Sequence, residues 1–145
     1  MKALLQRVSE ARVEVAGKTV GAIGPGLLVL LGLDKGDDIA GAEKLLDKLL
    51  AYRLFPDAEG RMNRSVADIG GGVLLVSQFT LSADTRKGLR PGFSSAMPPV
   101  EAEALYDEIR SRLSSRHANC AFGRFGADMQ VSLTNQGPVT FLLEI

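Results

Sequence analysis

Val73-Leu74-Leu75-Val76 is apolar at every position and lies between Gly70-Gly71-Gly72 and the polar pair Ser77-Gln78. A run this short, bounded by turn residues and without polar alternation, reads as a strand buried on both faces. A sheet containing such a strand must be covered by other elements. Candidate cover is at hand. Asp37 and Asp38 offer acceptors and negative charge at a helix start, followed by Ile39, Ala42, Leu45, Leu46, Leu49 and Leu50 at helical spacing, which predicts a helix to about Leu54. Pro98-Pro99 precede a second helical pattern with Ala102, Leu105, Tyr106, Ile109 and Leu113 on its buried side.

The remaining segments read as strands. Ala11, Val13 and Val15 alternate with Arg12 and Glu14, whereas Leu4 and Val8 sit on the opposite parity, so a bulge is expected near Ser9-Glu10. Turns at Gly17-Lys18 and Gly24-Pro25-Gly26 separate this strand from Thr19–Ile23 and Leu27–Leu33, and the three are expected to form a meander. Val131 and Leu133 are expected to pair with Val139–Ile145 across an Asn135-Gln136-Gly137 turn. With no linker, repeat or low-complexity segment, residues 1–145 read as one α+β domain, a size that can bury a core without staples.

Seventeen basic residues balance seventeen acidic ones, which disfavours a broad phosphate-tracking surface and confines any RNA contact to a local patch. Arg86, Lys87 and Arg90 form the best candidate for one; a solvated loop with ordinary charges is the competing reading. The single cysteine excludes an internal disulfide framework, and the first five residues reach Gln6 and Arg7 too soon for a signal-peptide core. No apolar run approaches membrane-spanning length, so a soluble, cytoplasmic protein with no membrane partner is expected.

Catalytic side chains are scarce. His117 is the only histidine and reads as a solvated helix-end residue; Cys120 reads as a small buried hydrophobe. One histidine and one cysteine cannot assemble a common zinc site, so no metal is expected. Gly17-Lys18-Thr19 mimics the end of a phosphate loop, but Arg12 stands where that motif needs glycine; Gly24-Pro25-Gly26 lacks a dinucleotide spacing. No cofactor is expected. Ser77 and Thr80 end the most buried strand without a visible base, and such residues also commonly end strands by bonding local backbone. Gly137-Pro138 reads on its own as a turn into the last strand.

Ser77-Gln78-Phe79-Thr80-Leu81 and Asn135-Gln136-Gly137-Pro138-Val139-Thr140 together resemble the D-aminoacyl-tRNA deacylases, which remove D-amino acids and glycine wrongly esterified to tRNA. The resemblance extends through Gln6-Arg7-Val8, Gly26–Gly32, Asp57-Ala58-Glu59-Gly60, Arg90-Pro91, Glu103–Tyr106 and Ala127–Val131. It implies a strongly curved, barrel-like sheet with two packed helices, assembled as a homodimer that acts on the tRNA acceptor end. It also implies a catalytic segment Ser77, Gln78, Phe79 and Thr80 that works through main-chain atoms and the RNA 2′-hydroxyl. Gly137 and Pro138 would be joined by a cis bond and enter the partner's site, braced by Arg7. Their carbonyls would capture the substrate ammonium and exclude L side chains. Phe125 and Met129 resemble residues near the site, with core packing an equal alternative. Two rivals stay open: a related proofreader that removes a wrong L-residue, and a tRNA-end binding module without catalysis.

Overall fold

The computed structural model describes residues 1–145. In chain order the elements are β1 (Lys2–Val15), β2 (Lys18–Ile23), β3 (Gly26–Gly32), α1 (Ile39–Ala51), β4 (Phe55–Pro56), β5 (Met62–Arg64), β6 (Gly72–Ser77), α2 (Pro99–Arg116), β7 (Cys120–Phe122) and β8 (Gln130–Glu144), with a short 3-10 turn at Phe79–Ser82. β4 and β5 form a separate small hairpin within the polar stretch that follows α1.

β1 organises the sheet because its fourteen residues are long enough to host two strands in succession along one edge. Lys2–Val8 pairs antiparallel with β3, and Ala11–Val15 pairs antiparallel with β2. The expected meander is therefore wrong: β3 returns to β1 instead of adding to β2. The other edge of β1 carries β8 along nearly its whole length. This overturns the expected C-terminal hairpin, since both halves of β8 pair with β1 and not with each other. Turn-forming residues can reverse a chain or bulge out of a ladder. A free β1 edge satisfied the backbone groups of both halves, and the bulge resulted.

The phase slip lies where the alternation placed it. Val8 pairs with Asn135 and Glu10 with Thr134, which leaves Ser9 as the extra residue and turns Val8, Ala11 and Val13 to the same side. Leu4, however, is half-buried, and the fully buried residues at the start of β1 are Ala3 and Leu5 on the opposite face.

β6 joins β3 in parallel, β7 joins β6 in parallel, and β7 comes back against β2. At that seam a Cβ on Gly21 would stand 2.6 Å from the Phe122 carbonyl oxygen, so the sheet curls nearly into a closed barrel. Alternate residues of β6 consequently enter two cores. Leu74 and Val76 point inward with Val8, Val13, Ile23 and Leu28, while Val73 and Leu75 point outward beneath the helices with Leu5, Val29 and Leu31. The unbroken apolar run at 73–76 follows from this double burial.

The helical layer is formed by Leu45, Leu46 and Leu49 of α1 and Tyr106, Ile109 and Leu113 of α2, all buried. Asp38 caps α1, its side chain accepting from the Gly41 N–H at 2.8 Å. α1 ends at Ala51, short of Leu54, because Tyr52 turns extended; Leu54 is buried and its carbonyl is free to accept from Arg7. Across the helix pair, Arg112 meets Glu43, and Arg116 meets Glu43 and Asp47. No helix is long and apolar enough to cross a membrane.

Candidate active site

β6 ends in a turn whose backbone is locked by its neighbours. Ser77 still pairs with Leu31, and the Gln78 N–H donates to the Leu31 carbonyl at 2.7 Å. The chain then tightens into the 3-10 turn, in which Leu81 N–H donates to Gln78 and Ala83 N–H to Thr80, each at 3.2 Å. Phe79 and Thr80 precede the first donor of that turn, and no side chain caps it. Their N–H groups are the orphan donors of a helix start. Buried Ser82 holds the turn from below, its hydroxyl donating to the Leu33 carbonyl at 3.2 Å, and Ser95 in turn donates to the Ser82 carbonyl.

Thr80 has one side-chain partner, the Gln78 amide, whose Nε2 donates to Oγ1 at 2.5 Å. No carboxylate or imidazole is hydrogen-bonded to the Thr80 hydroxyl. The Phe79 ring projects outward, 61% exposed, against the Phe93 ring at 5.0 Å between centroids.

The second motif forms the excursion in β8. Gln6 pairs with Thr140 and Val8 with Asn135, so Gln136, Gly137, Pro138 and Val139 leave the ladder opposite Arg7 alone. The Gly137–Pro138 bond is cis. Arg7 spans the base of the excursion, its Nε donating to the Gln136 carbonyl at 3.1 Å and its Nη1 to the Leu54 carbonyl at 2.7 Å. Asn135 closes it from inside: Oδ1 accepts from the Val139 N–H at 3.0 Å, and Nδ2 donates to Thr140 Oγ1 at 2.9 Å. Gly137 has φ +131°, and a Cβ there would lie 2.7 Å from the Val139 side chain and 3.2 Å from Arg7 Nη2. Only glycine fits both the angle and the space. Gly137 and Pro138 themselves are exposed.

Within one chain these two segments are not joined by any hydrogen bond, and β1 and β3 lie between β8 and β6. Phe125 packs on buried Tyr106, with ring centroids 5.7 Å apart, and the Tyr106 hydroxyl donates to the Leu75 carbonyl at 2.9 Å. Burial pushes the Tyr106 phenol well above its ordinary value, so it is a neutral donor. Met129 packs on the inner core and against Gly123. A groove of about 560 Å³ between α2 and β7 includes Phe125, with Arg110 and Arg124, but none of Ser77–Thr80. The turn at 77–80 is thus a separate surface.

The basic loop is closed at its base by mutual backbone bonds between Asp84 and Gly92 at 2.7 and 2.9 Å. Arg86 makes a two-pronged pair with Asp84 at 2.8 and 2.9 Å, and its guanidinium holds the Asp84 carboxyl well below the usual range. Lys87 and Arg90 make no ion pair. His117 is the C-cap of α2, with Nε2 2.7 Å from the Gly71 carbonyl, and Cys120 is half-exposed beside Ser114.

Sequence reading missed Asn135, the Leu54 carbonyl, Ser82 and Phe93 as parts of these surfaces. Asn135 carried a signal, since an Asx residue ahead of Gly-Pro offers a short acceptor for a turn N–H. The Leu54 carbonyl and Phe93 carried none, because both depend on contacts distant in sequence.

Known proteins share this fold. A solved c-Myc DNA Unwinding Element Binding Protein is 41% identical, with a TM-score of 0.96 covering 100% of this chain and 99% of that one. A D-aminoacyl-tRNA deacylase of Stutzerimonas stutzeri (strain A1501) is 66% identical over 144 residues, 99% of each chain. One of the same description from Pseudomonas fluorescens (strain Pf0-1) is 62% identical over the same coverage. The family model described as D-Tyr-tRNA(Tyr) deacylase matches residues 4–144 and so takes in both the turn after β6 and the excursion in β8. By that match and those identities, the chain belongs to the D-Tyr-tRNA(Tyr) deacylase family.

Proposed function

We propose that this protein is a cytoplasmic hydrolase that cleaves the ester between tRNA and a D-amino acid or glycine, releasing both. The observation that carries the chemistry is the pair of orphan N–H groups at Phe79 and Thr80, presented at the end of a rigid strand. An aminoacyl ester on ribose is already activated, and its carbonyl develops negative charge as water attacks. Fixed backbone donors stabilise that charge by about 2.7–4 kcal/mol each when well placed. The neighbouring 2′-hydroxyl of the RNA orients or deprotonates the water, so no side-chain base is required. Gln78 supports the turn through Thr80.

Stereoselection comes from Gly137 and Pro138 of a second copy. Their carbonyls face the substrate Cα, accept from the α-ammonium, and leave no volume for an L side chain; glycine passes the same filter. Arg7 and Asn135 hold the excursion in shape. Two features support the second copy. The edge of β8 facing away from β1 is unpaired, and Leu133, Phe141, Leu142 and Ile145 are exposed on or beside it. Long apolar edges are association sites unless covered. Sedimentation equilibrium is expected to show a dimer, and Leu142→Asp is expected to lower both dimer content and activity together. A fully active monomer at nanomolar concentration rejects the shared site.

Phe125, packed on Tyr106, and Met129, packed on the inner core, support the site from behind and do not line the turn, and Lys87 and Arg90 meet acceptor-end phosphates. Arg86, already paired with Asp84, contributes less charge there than sequence alone suggests. A deacylation assay comparing D-, L- and glycyl-tRNA tests the whole reading. Turnover of the D- and glycyl esters with the L-ester spared is expected. Preferential loss of the L-ester would indicate the related L-proofreader, and tight binding without turnover a binding module.

Thr80→Ala separates backbone catalysis from a hydroxyl nucleophile. Because the hydroxyl contacts only an amide, the expected loss in kcat is about tenfold or less, from local repositioning. An acyl group trapped on Thr80 would overturn this.

A further inference from the structure

We infer that Tyr106 is a positioning residue for the proposed reaction: its hydroxyl reaches from α2 to the open edge of β6 and fixes the strand end that presents the Phe79 and Thr80 N–H groups. The inference rests on the function proposed above. Tyr106 is completely buried beside Ile109 and Leu113, and its hydroxyl donates to the Leu75 carbonyl at 2.9 Å. The packing needs the ring but not the oxygen.

A hydroxyl in an apolar core is unfavourable unless bonded, and phenylalanine would fill nearly the same space without that penalty. Nor does the Leu75 carbonyl require it. The Gly123 N–H already donates to that carbonyl at 2.9 Å, so the phenol is a second donor to an acceptor that is already paired.

What the hydroxyl adds is a hold beyond the end of β7. That strand follows β6 only from Val73–Cys120 to Leu75–Phe122, after which the Gly123 bond closes the ladder. Ser77 lies past it. Val73 and Leu75 turn their backbone groups toward β7, with the Val73 N–H donating to Asn119, so Ser77, two residues on, faces the same edge. There its N–H meets the Tyr106 oxygen instead of a strand. On the opposite edge β3 still runs alongside, Leu31 pairing with Ser77 and accepting from the Gln78 N–H at 2.7 Å. One phenol thus replaces a missing rung. Without it the residues entering the turn would be held from the β3 side alone. The ring itself is fixed by Phe125, 5.7 Å away between centroids, and by the Arg110 guanidinium 5.9 Å from its centre, contacts that do not involve the oxygen.

The test compares full-length wild type and Tyr106→Phe on D-tyrosyl-tRNA. The variant is expected to lose about three- to thirtyfold in kcat with KM within about twofold, a part of the roughly hundredfold that a misplacement of about 1 Å costs. Ile109→Val is the control. It trims the buried face of the same helix and is expected to lower the urea midpoint at least as far while leaving kcat within about twofold. Amide hydrogen exchange gives a readout independent of turnover: Ser77 is expected to exchange at least about fivefold faster in Tyr106→Phe, with Gln78 unchanged. An unaltered kcat, a loss that falls on KM, or a matching kcat loss in Ile109→Val overturns the inference. Unchanged Ser77 exchange also overturns it, as does a Tyr106→Phe chain that does not fold, which would assign the hydroxyl to stability alone. Faster Ser77 exchange in the variant, with no ester cleavage by wild type, upholds the hold on the strand end while rejecting the proposed hydrolysis.

Discussion

Replacing the terminal 2′-hydroxyl of D-aminoacyl-tRNA with hydrogen is expected to slow hydrolysis by about 10²–10⁴-fold, the range typical of a lost general acid–base group. Binding should change by no more than a few-fold, because one hydroxyl is a small part of a tRNA contact. The expectation follows from what surrounds the reacting position. Thr80 Oγ1 is bonded to an amide, the only histidine is tied to the Gly71 carbonyl at the end of α2, and half-exposed Cys120 lies on β7 beside Ser114. Backbone N–H groups can stabilise an oxyanion but cannot remove a proton from water. On the mechanism proposed above, the ribose hydroxyl that the substrate brings does so. Single-turnover cleavage of 2′-hydroxy and 2′-deoxy esters under saturating enzyme measures the ratio. Equal rates would remove the RNA from the chemistry and require a protein base.

Gly26→Ala is expected to abolish folding, with a destabilisation beyond about 4 kcal/mol, the range reserved for a few severe mechanisms. A Cβ at Gly26 would stand 1.9 Å from the Gly72 carbonyl oxygen, 2.6 Å from its nitrogen and 2.7 Å from its carbonyl carbon. All three are backbone atoms, so no rotamer relieves the clash. Gly26 and Gly72 open the parallel ladder between β3 and β6, and separating them would strip the pairing that runs from Leu27–Val73 to Leu31–Ser77. That ladder carries Leu28, Leu74 and Val76 into the inner core and Leu27, Val73 and Leu75 into the outer one. Against a typical total stability of about 5–15 kcal/mol, the loss leaves little folded protein. Gly24→Ala is the control, since nothing lies within 4 Å of a Cβ there, and urea unfolding should place it within about 0.5 kcal/mol of wild type. A soluble, cooperatively folded Gly26→Ala protein would show that the strands can part more cheaply than this packing implies.

Local chemistry was written plainly in the chain. Asp38 had to be satisfied by a nearby N–H and found that of Gly41; Val73–Val76 had no polar face to offer and was buried twice; the parity break before Ala11 required an extra residue, found at Ser9. Each depends on neighbours a few positions away, where periodicity and side-chain reach settle the outcome. The motif at Ser77–Leu81 likewise marked the end of β6, although the orphan N–H groups became visible only with the 3-10 turn.

Pairing choices were decided elsewhere. Whether β3 joined β2 or β1, and whether residues 130–145 folded on themselves or ran as one strand, depended on which edge of β1 was vacant. Local pattern is the same in either case, because a strand's alternation does not record its partner. The sequence by itself therefore determined the main strands and helices, most of their buried faces and the resemblance to its family. Tertiary structure alone decided that Arg7 would reach both Leu54 and Gln136, that Phe93 would meet Phe79, and that the two motifs would lie apart within one chain. The reason is that these contacts join residues distant in sequence, and only the closure of the sheet around β1 brings them into range.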